Sequence, residues 1–203
     1  MCVINQSINQ SINQSREKLS DKNYEMIDVL DENGMKTGEV LSRGEVHKRN
    51  LWHRLIVVAI LDDDNNILLQ QRSGSKEKYP NMWDISIVGH IGAGQDGVAA
   101  AAREINEEIA VSLGYKVSVK DFRYMFSYRS EEELGGGRID RHFWDFFVLR
   151  KEHLDKNKVR LQQEEVQVVK WANVSEFIGM IEEGKLVDRK PIYDCLIDYI
   201  YRM

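Results

Sequence analysis

The apolar residues at 26, 27, 29 and 30 and at 40 and 41, on either side of the polar sequence Asp31-Glu-Asn-Gly34, predict a strand at 25–30 and a returning strand at 37–41 joined by a turn. Residues 53–61 are almost wholly apolar and predict a long buried strand. The polar residues 62–66 turn it back into a partner at 67–72. Residues 73–81 are charged, contain Pro80 and read as a loop before a short strand at 84–89. Val98, Ala102, Ile105 and Ile109 then recur at helical spacing and form one apolar stripe. Residues 122–127 and 142–149 read as strands separated by an acidic, glycine-rich loop at 129–140, and residues 166–172 as the last strand. Ser175 is expected to cap a helix through Gly184, and Asp188 or Lys190 to start a final helix to about Tyr201, with Pro191 in its first turn. Strands and helices in this order predict a layered α/β sandwich.

Ahead of these elements the chain repeats Ile-Asn-Gln-Ser three times, over residues 4–15. Isoleucine every fourth residue would line one helix face, but Asn, Gln and Ser elsewhere give poor helix propensity. Residues 1–22 therefore read as a low-complexity, disordered tail, or one docked on a neighbour. The remainder of the 203 residues suffices for one well-buried domain. A formal net charge of −5 argues against nucleic acid as a partner, and no apolar run is long enough for a membrane span. Cys2 and Cys195 are far apart and form no CxxC pair, as expected of reduced thiols in a cytoplasmic protein; no signal-peptide pattern precedes the domain.

The chemistry concentrates between Gly89 and Val111, in GHIGAGQDGVAAAAREINEEIAV. Glu104, Glu107 and Glu108 stand at i, i+3 and i+4, so a helix projects all three from one side. Like charges this close cost a few tenths of a kcal/mol per pair, roughly, unless something offsets them. A hard divalent cation, Mg²⁺ or Mn²⁺, does so and also holds phosphate oxygens. Arg103, four residues before Glu107, can fix that carboxylate's orientation. Asp96 suits the N-cap, and Gly92, Gly94 and Gly97 allow a backbone turn close to a ligand.

This segment resembles the Nudix box, G-x5-E-x7-R-E-U-x-E-E-x-G-U with U aliphatic: Gly89, Arg103, Glu104, Ile105, Glu107, Glu108 and Val111 all match. The resemblance implies a Nudix-type α/β/α sandwich with a mixed sheet over residues 51–203, here preceded by a small β-hairpin extension at 23–50. It further implies metal-dependent hydrolysis of a diphosphate linked to another group. Glu107 and Glu108 would be the principal metal ligands, with Glu104 also binding metal or orienting water, and the Val88 carbonyl a backbone ligand. A further acid from a loop is expected at Glu165, with Glu164 as the fallback; an ordinary exposed Glu is the alternative. Two positions depart from the pattern. Gln95 stands where the family has Glu, removing a negative charge from the edge of the metal site. Ala110 replaces the glycine that ends the helix, so either a left-handed alanine is strained or the helix runs on towards Gly114.

The stretches VLDENGMKTGEVLSRGEVHKRNLWHR and LLQQRSGSKEKYPNMWDISIVGHIGAG resemble the Nudix branch related to isopentenyl diphosphate isomerase. That reaction uses a Cys just before the Gly-His pair, where this chain has Val88, and a Glu in a later strand, which aligns with His142. Hydrolysis of a nucleoside diphosphate derivative or nucleotide is therefore the expected activity; isomerisation and a non-catalytic nucleotide-binding module are the alternatives. A homodimer through the hairpin or last helix is a further expectation. Several residues carry open readings: His53 and His90 as metal ligands or backbone hydrogen-bonders, Trp52, Trp83 and Trp144 as base-stacking or core residues, Arg72 as a phosphate contact or a surface charge. Glu131, Glu132 and Glu133 belong to a lid or to a solvated loop.

Overall fold

The computed structural model describes residues 24–76, 78–108, 117–151 and 165–203, and for Glu107 and Glu108 the backbone. The tail at 1–22, Glu164, Ile109, Ala110, Val111 and Gly114 lie outside the described residues, and with them the expectations attached to those positions.

The first hairpin forms about the expected turn. Strand β1 (Met26–Leu30) pairs antiparallel with β2 (Lys36–Ser42), with Met26 opposite Ser42 and Asp28 opposite Val40. The Asp31 carboxylate closes the turn by accepting from the amides of Asn33 and Met35, both at 2.9 Å. A short helix that the apolar pattern did not signal follows, α1 (Arg43–Lys48), capped by the Ser42 hydroxyl on the amide of Glu45. Its one buried residue, Val46, packs on Ile27 and Val29 of β1.

Strand β3 (Trp52–Leu61) is the longest apolar run, and it turns at residues 62–66 into β4 (Ile67–Arg72) with Leu61 opposite Ile67. The single strand expected at 84–89 is two. β5 (Trp83–Ile85) pairs with β4, and β6 (Ile87–His90) pairs with β3, with Val57 opposite Val88 and Ile56 opposite Gly89. Ser86, fully buried at the break, is the cause. Its hydroxyl donates to the Leu68 carbonyl at 2.6 Å and accepts from the Ile60 amide at 2.9 Å, so one side chain hands the chain from β4 to β3.

Helix α2 (Gly97–Glu108) begins at the Asp96 cap, whose carboxylate accepts from the Ala99 amide at 2.7 Å. Its fully buried side chains are Ala100, Ala101 and Ile105, so the stripe is set over towards the alanine run; Ala102 is nearly buried and Val98 only half so. At its start the backbone comes close to a strand. A Cβ on Gly97 would lie 2.9 Å from Asp145 Oδ2, and Asp145 is itself held by the Ser127 hydroxyl.

The acidic, glycine-rich segment is not a loop. β7 (Phe122–Gly135) and β8 (Arg138–Arg150) form one long hairpin, and the turn shrinks to Gly136 and Gly137. Glu131, Glu132 and Glu133 lie on β7, where exposure alternates with strand period, and Glu131 bridges Arg129 at 2.8 Å and Arg141 at 3.1 Å. Positive φ at Gly135, Gly136 and Gly137 makes the reversal possible, which explains why glycines that look like loop content end a ladder instead.

β9 (Val166–Ala172) pairs with β4, and helices α3 (Val174–Glu182) and α4 (Lys190–Tyr201) complete the order. Asn173, not Ser175, caps α3, because its side chain reaches the Glu176 amide at 2.9 Å. Strand neighbours run β2-β1-β3-β4-β5, with β6 and β8 also on β3, β7 on β8 and β9 on β4. This is the mixed α/β architecture the sequence predicts.

Contacts group the chain into two compact units. Among the described residues, one holds 24–54 with Ile91–Gln95 and Arg129–Phe143; the other holds those of Leu55–His90, Asp96–Tyr128 and Trp144–Met203. In the second, Leu55, Val57 and Ala59 of β3 share a core with Phe146, Phe177, Tyr193 and Leu196. Each such side chain contributes roughly 1.5–3 kcal/mol by leaving water. In the first, Leu30, Trp52 and Phe143 form a small cluster.

Candidate functional site

Strand β6 and helix α2 bring Gly89 and Glu104 together. The fit admits no side chain on Gly89: a Cβ there would meet Glu104 Cδ at 2.6 Å. Glu104 is mostly buried, at 8% exposure, and its Oε1 pairs with Arg103 Nη2 at 2.9 Å. The same guanidinium nitrogen donates to the His90 carbonyl at 3.1 Å. Arg103 thus ties the end of β6 to Glu104; the partner expected for it, the Glu107 carboxylate, lies outside the described side chains. The backbone continues as helix through Glu107 and Glu108, three and four residues after Glu104. Val88 sits beside this corner on β6, partly buried against the core. A seated Glu104 followed at three and four residues by Glu107 and Glu108 on the same helix supplies the hard oxygen donors that Mg²⁺ and Mn²⁺ prefer, so the donor set suits such an ion.

In the loop between β6 and α2, the amides of residues 91–95 are all engaged. Ile91 N donates to the Arg54 carbonyl at 3.2 Å, Gly92 N to Gln95 Oε1 at 3.2 Å, Ala93 N to the Met26 carbonyl at 2.8 Å, Gly94 N to Asp28 Oδ2 at 2.9 Å and Gln95 N to the Gly92 carbonyl at 3.0 Å. The loop is therefore a satisfied platform and not a row of amides aimed at an anion. Gln95, where the family carries Glu, spends its side-chain oxygen inside this loop.

Glu165 lies in the turn before β9. Its carboxylate pairs with Lys76 and its carbonyl accepts from the Ser73 amide at 2.9 Å, so its described contacts are with the loop after β4. Arg72 clasps that same loop, with Nε and Nη2 on the Lys78 carbonyl at 3.2 and 2.9 Å. Trp52 packs beneath Arg129, whose guanidinium carbon is 4.4 Å from the ring centre, and against Phe143. Trp144 is stacked with Tyr128 and covered by Arg189. Both have the core role. Trp83 is half-buried, with the Lys170 ammonium 4.7 Å from its ring.

A second polar cluster escaped sequence reasoning because its members are spread over 95 positions. Asp140 Oδ1 lies 2.9 Å from His47 Nδ1 and 2.9 Å from His142 Nε2. The His53 ring stands edge-on to both imidazoles, at 4.7 and 4.9 Å, and its Nδ1 is 3.1 Å from the Leu51 carbonyl. Donor atoms of His53, Asp140 and His142 lie within 4.8 Å of one another, so this trio is a second group able to hold a metal ion. Burial, helped by the two neighbouring imidazoles, pushes the His53 pKa down to about 3. Burial alone would raise the Asp140 carboxyl, but hydrogen bonds from His142 and His47 outweigh it and hold Asp140 well below the usual range. Among the described residues no helix is long and apolar enough to cross a membrane.

Known proteins resemble this chain in sequence and in fold. Nudix hydrolase 3 of Arabidopsis thaliana is 36% identical over 162 residues, 78% of this chain, although the chain spans only 20% of that relative's length. An uncharacterized Nudix hydrolase of Listeria monocytogenes is 31% identical over 160 residues, covering 79% of this chain and 86% of its own. A crystal structure from Deinococcus radiodurans superposes with a TM-score of 0.63 at 17% identity, over 84% of this chain and 97% of that one, and so shares the fold. The NUDIX domain model matches residues 52–195, and with the corner of Gly89, Arg103 and Glu104 in place the chain belongs to the Nudix hydrolase family.

Proposed function

We propose that this chain is a divalent-metal-dependent hydrolase that cleaves a diphosphate bond in a nucleoside diphosphate derivative or nucleotide. One observation carries the reading: the Glu104 carboxylate is seated against Gly89 and held by the arginine that also grips the His90 carbonyl. Glu104, Glu107 and Glu108, with the Val88 carbonyl, would hold Mg²⁺ or Mn²⁺. When bound, the ion neutralises charge on the phosphoryl oxygens and acidifies a water. Arg103 keeps Glu104 in one orientation, so no reorganisation is needed as charge develops. Glu165 is the loop acid of this scheme, its charge balanced by Lys76 in the resting protein. With two cysteines in 203 residues, the protein suits the reducing cytoplasm. The nucleotide assignment rests on kinship with the family.

Isomerase chemistry is disfavoured by the residues themselves. Val88 has no proton to give, and His142 is tied to Asp140. The test is phosphate release, with Mg²⁺ or Mn²⁺, from nucleoside di- and triphosphates, nucleotide sugars, ADP-ribose and dinucleoside polyphosphates. Turnover is expected on at least one of these. Glu107→Gln and Glu108→Gln should each lower it by more than the roughly 10–100-fold typical of losing a second-sphere partner, with the fold intact. Metal-independent turnover, tight binding without turnover, or interconversion of isopentenyl and dimethylallyl diphosphate would each overturn the reading.

A further inference from the structure

We propose that Asp28, on the hairpin that precedes the matched NUDIX residues, is a positioning residue for the loop that leads into the carboxylate helix. β1 splits its side chains by strand period. Ile27 and Val29 turn into the small core with Val46, while Asp28 lies on the opposite face. There its Oδ2 accepts from the Gly94 amide at 2.9 Å and from the Lys36 ammonium at 2.7 Å. One residue earlier, the Met26 carbonyl takes the Ala93 amide at 2.8 Å. Two consecutive loop amides are thus met by one edge of β1. Gly94 has φ +76°, a left-handed turn conformation that suits glycine. Of the loop's own polar side chains, Gln95 is engaged with Gly92 and brings no charge, and the Asp96 carboxylate is turned to the helix, on the Ala99 amide. Asp28 is therefore the carboxylate that fixes the loop, at a position of the chain remote from the box. Burial would raise its pKa, but the bonds from Lys36 and Gly94 hold it below the ordinary carboxylate value, so the acceptor stays ionised at neutral pH.

The consequence for metal binding rests on the reading above. Val88, Gly89 and His90 enter this loop and Glu104 follows it, so loosening residues 93–95 disperses the oxygens that the ion requires. The experiment uses the full chain and three variants: Asp28→Ala, Asp28→Asn, whose side-chain oxygen can still accept from Gly94, and Lys36→Met. Amide hydrogen exchange is measured without metal, and Mn²⁺ binding by calorimetry. Asp28→Ala should speed exchange at Ala93 and Gly94 by about tenfold and weaken Mn²⁺ by a similar factor, with exchange in β3 unchanged. Asp28→Asn and Lys36→Met should stay within about threefold of the parent. Unchanged exchange at Gly94 in Asp28→Ala, equal acceleration throughout β3, failure of Asn to rescue, or unaltered Mn²⁺ affinity beside a loosened loop would each overturn the assignment. Glu108→Gln separates the two ideas: if it leaves Mn²⁺ binding intact, the metal site is wrong whatever Asp28 does to the loop.

Discussion

Arg189 closes on Asp84 through two parallel hydrogen bonds, Nε to Oδ1 and Nη2 to Oδ2, both 2.8 Å, joining residues 105 positions apart. Asp84 is wholly buried, and the guanidinium lies 4.6 Å from the Trp144 ring centre. The pair sits at the start of α4, where the Tyr193 hydroxyl also donates to the Val187 carbonyl at 2.6 Å. It fixes the last helix to β5. A buried pair of this kind contributes little relative to a well-packed apolar pair, but breaking it leaves the Asp84 charge to Arg72 alone, whose Nη1 lies 3.7 Å from Oδ2. Arg189→Met should cost about 3–5 kcal/mol in urea denaturation, and adding Asp84→Leu should restore much of that loss. A cost below about 1 kcal/mol would mean that water or Arg72 compensates Asp84 in place of Arg189.

Gly89→Ala tests the closest contact of the candidate site. The new methyl would stand 2.6 Å from Glu104 Cδ, and Glu104 cannot swing away without leaving Arg103. Steady-state kinetics should show activity down by about a hundredfold, the cost of roughly 1 Å of misplacement. Thermal stability should change far less than activity does.

Ser86 predicts a purely structural effect. Ser86→Ala deletes the acceptor of the Ile60 amide and the donor to the Leu68 carbonyl where water cannot replace them. A loss of about 1–3 kcal/mol is expected by urea denaturation.

The His53 cluster predicts acid lability. His53 titrates near 3 in the folded chain and near its ordinary 6.5 in the unfolded one. Its stabilisation is therefore complete above about pH 6.5 and drains away as pH falls towards 3, at up to about 1.4 kcal/mol per pH unit. Asp140, also depressed, adds stability above the ordinary carboxylate pKa and loses it further into acid. Denaturation of His53→Phe between pH 7 and 4 should show a flatter dependence than the parent; parallel curves would remove His53 as the cause.

Where a local pattern sufficed, the sequence was legible. Apolar runs at 53–61 and 67–72 gave β3 and β4, and the apolar stripe from Val98 gave helix α2, whereas the seat of Glu104 against Gly89 and its pairing with Arg103 came only from the structure. What escaped depends on partners far along the chain. The break at Ser86 is made by Ile60 and Leu68, and the Asp140 cluster needs two histidines more than 80 residues upstream. Three glycines and three glutamates in a row read as loop because propensity says so; cross-strand pairing of Glu131 with Arg141 overrides it. Likewise, nothing in Asp28 as a letter announces Gly94 as its partner, 66 positions later.

The loop's dependence on that distant strand bears on how far the protein can be trimmed. The NUDIX match begins at Trp52, yet a fragment cut there would discard both Met26 and Asp28 and leave the Ala93 and Gly94 amides bare. Its minimal functional length is therefore set by a hairpin that lies outside the matched domain.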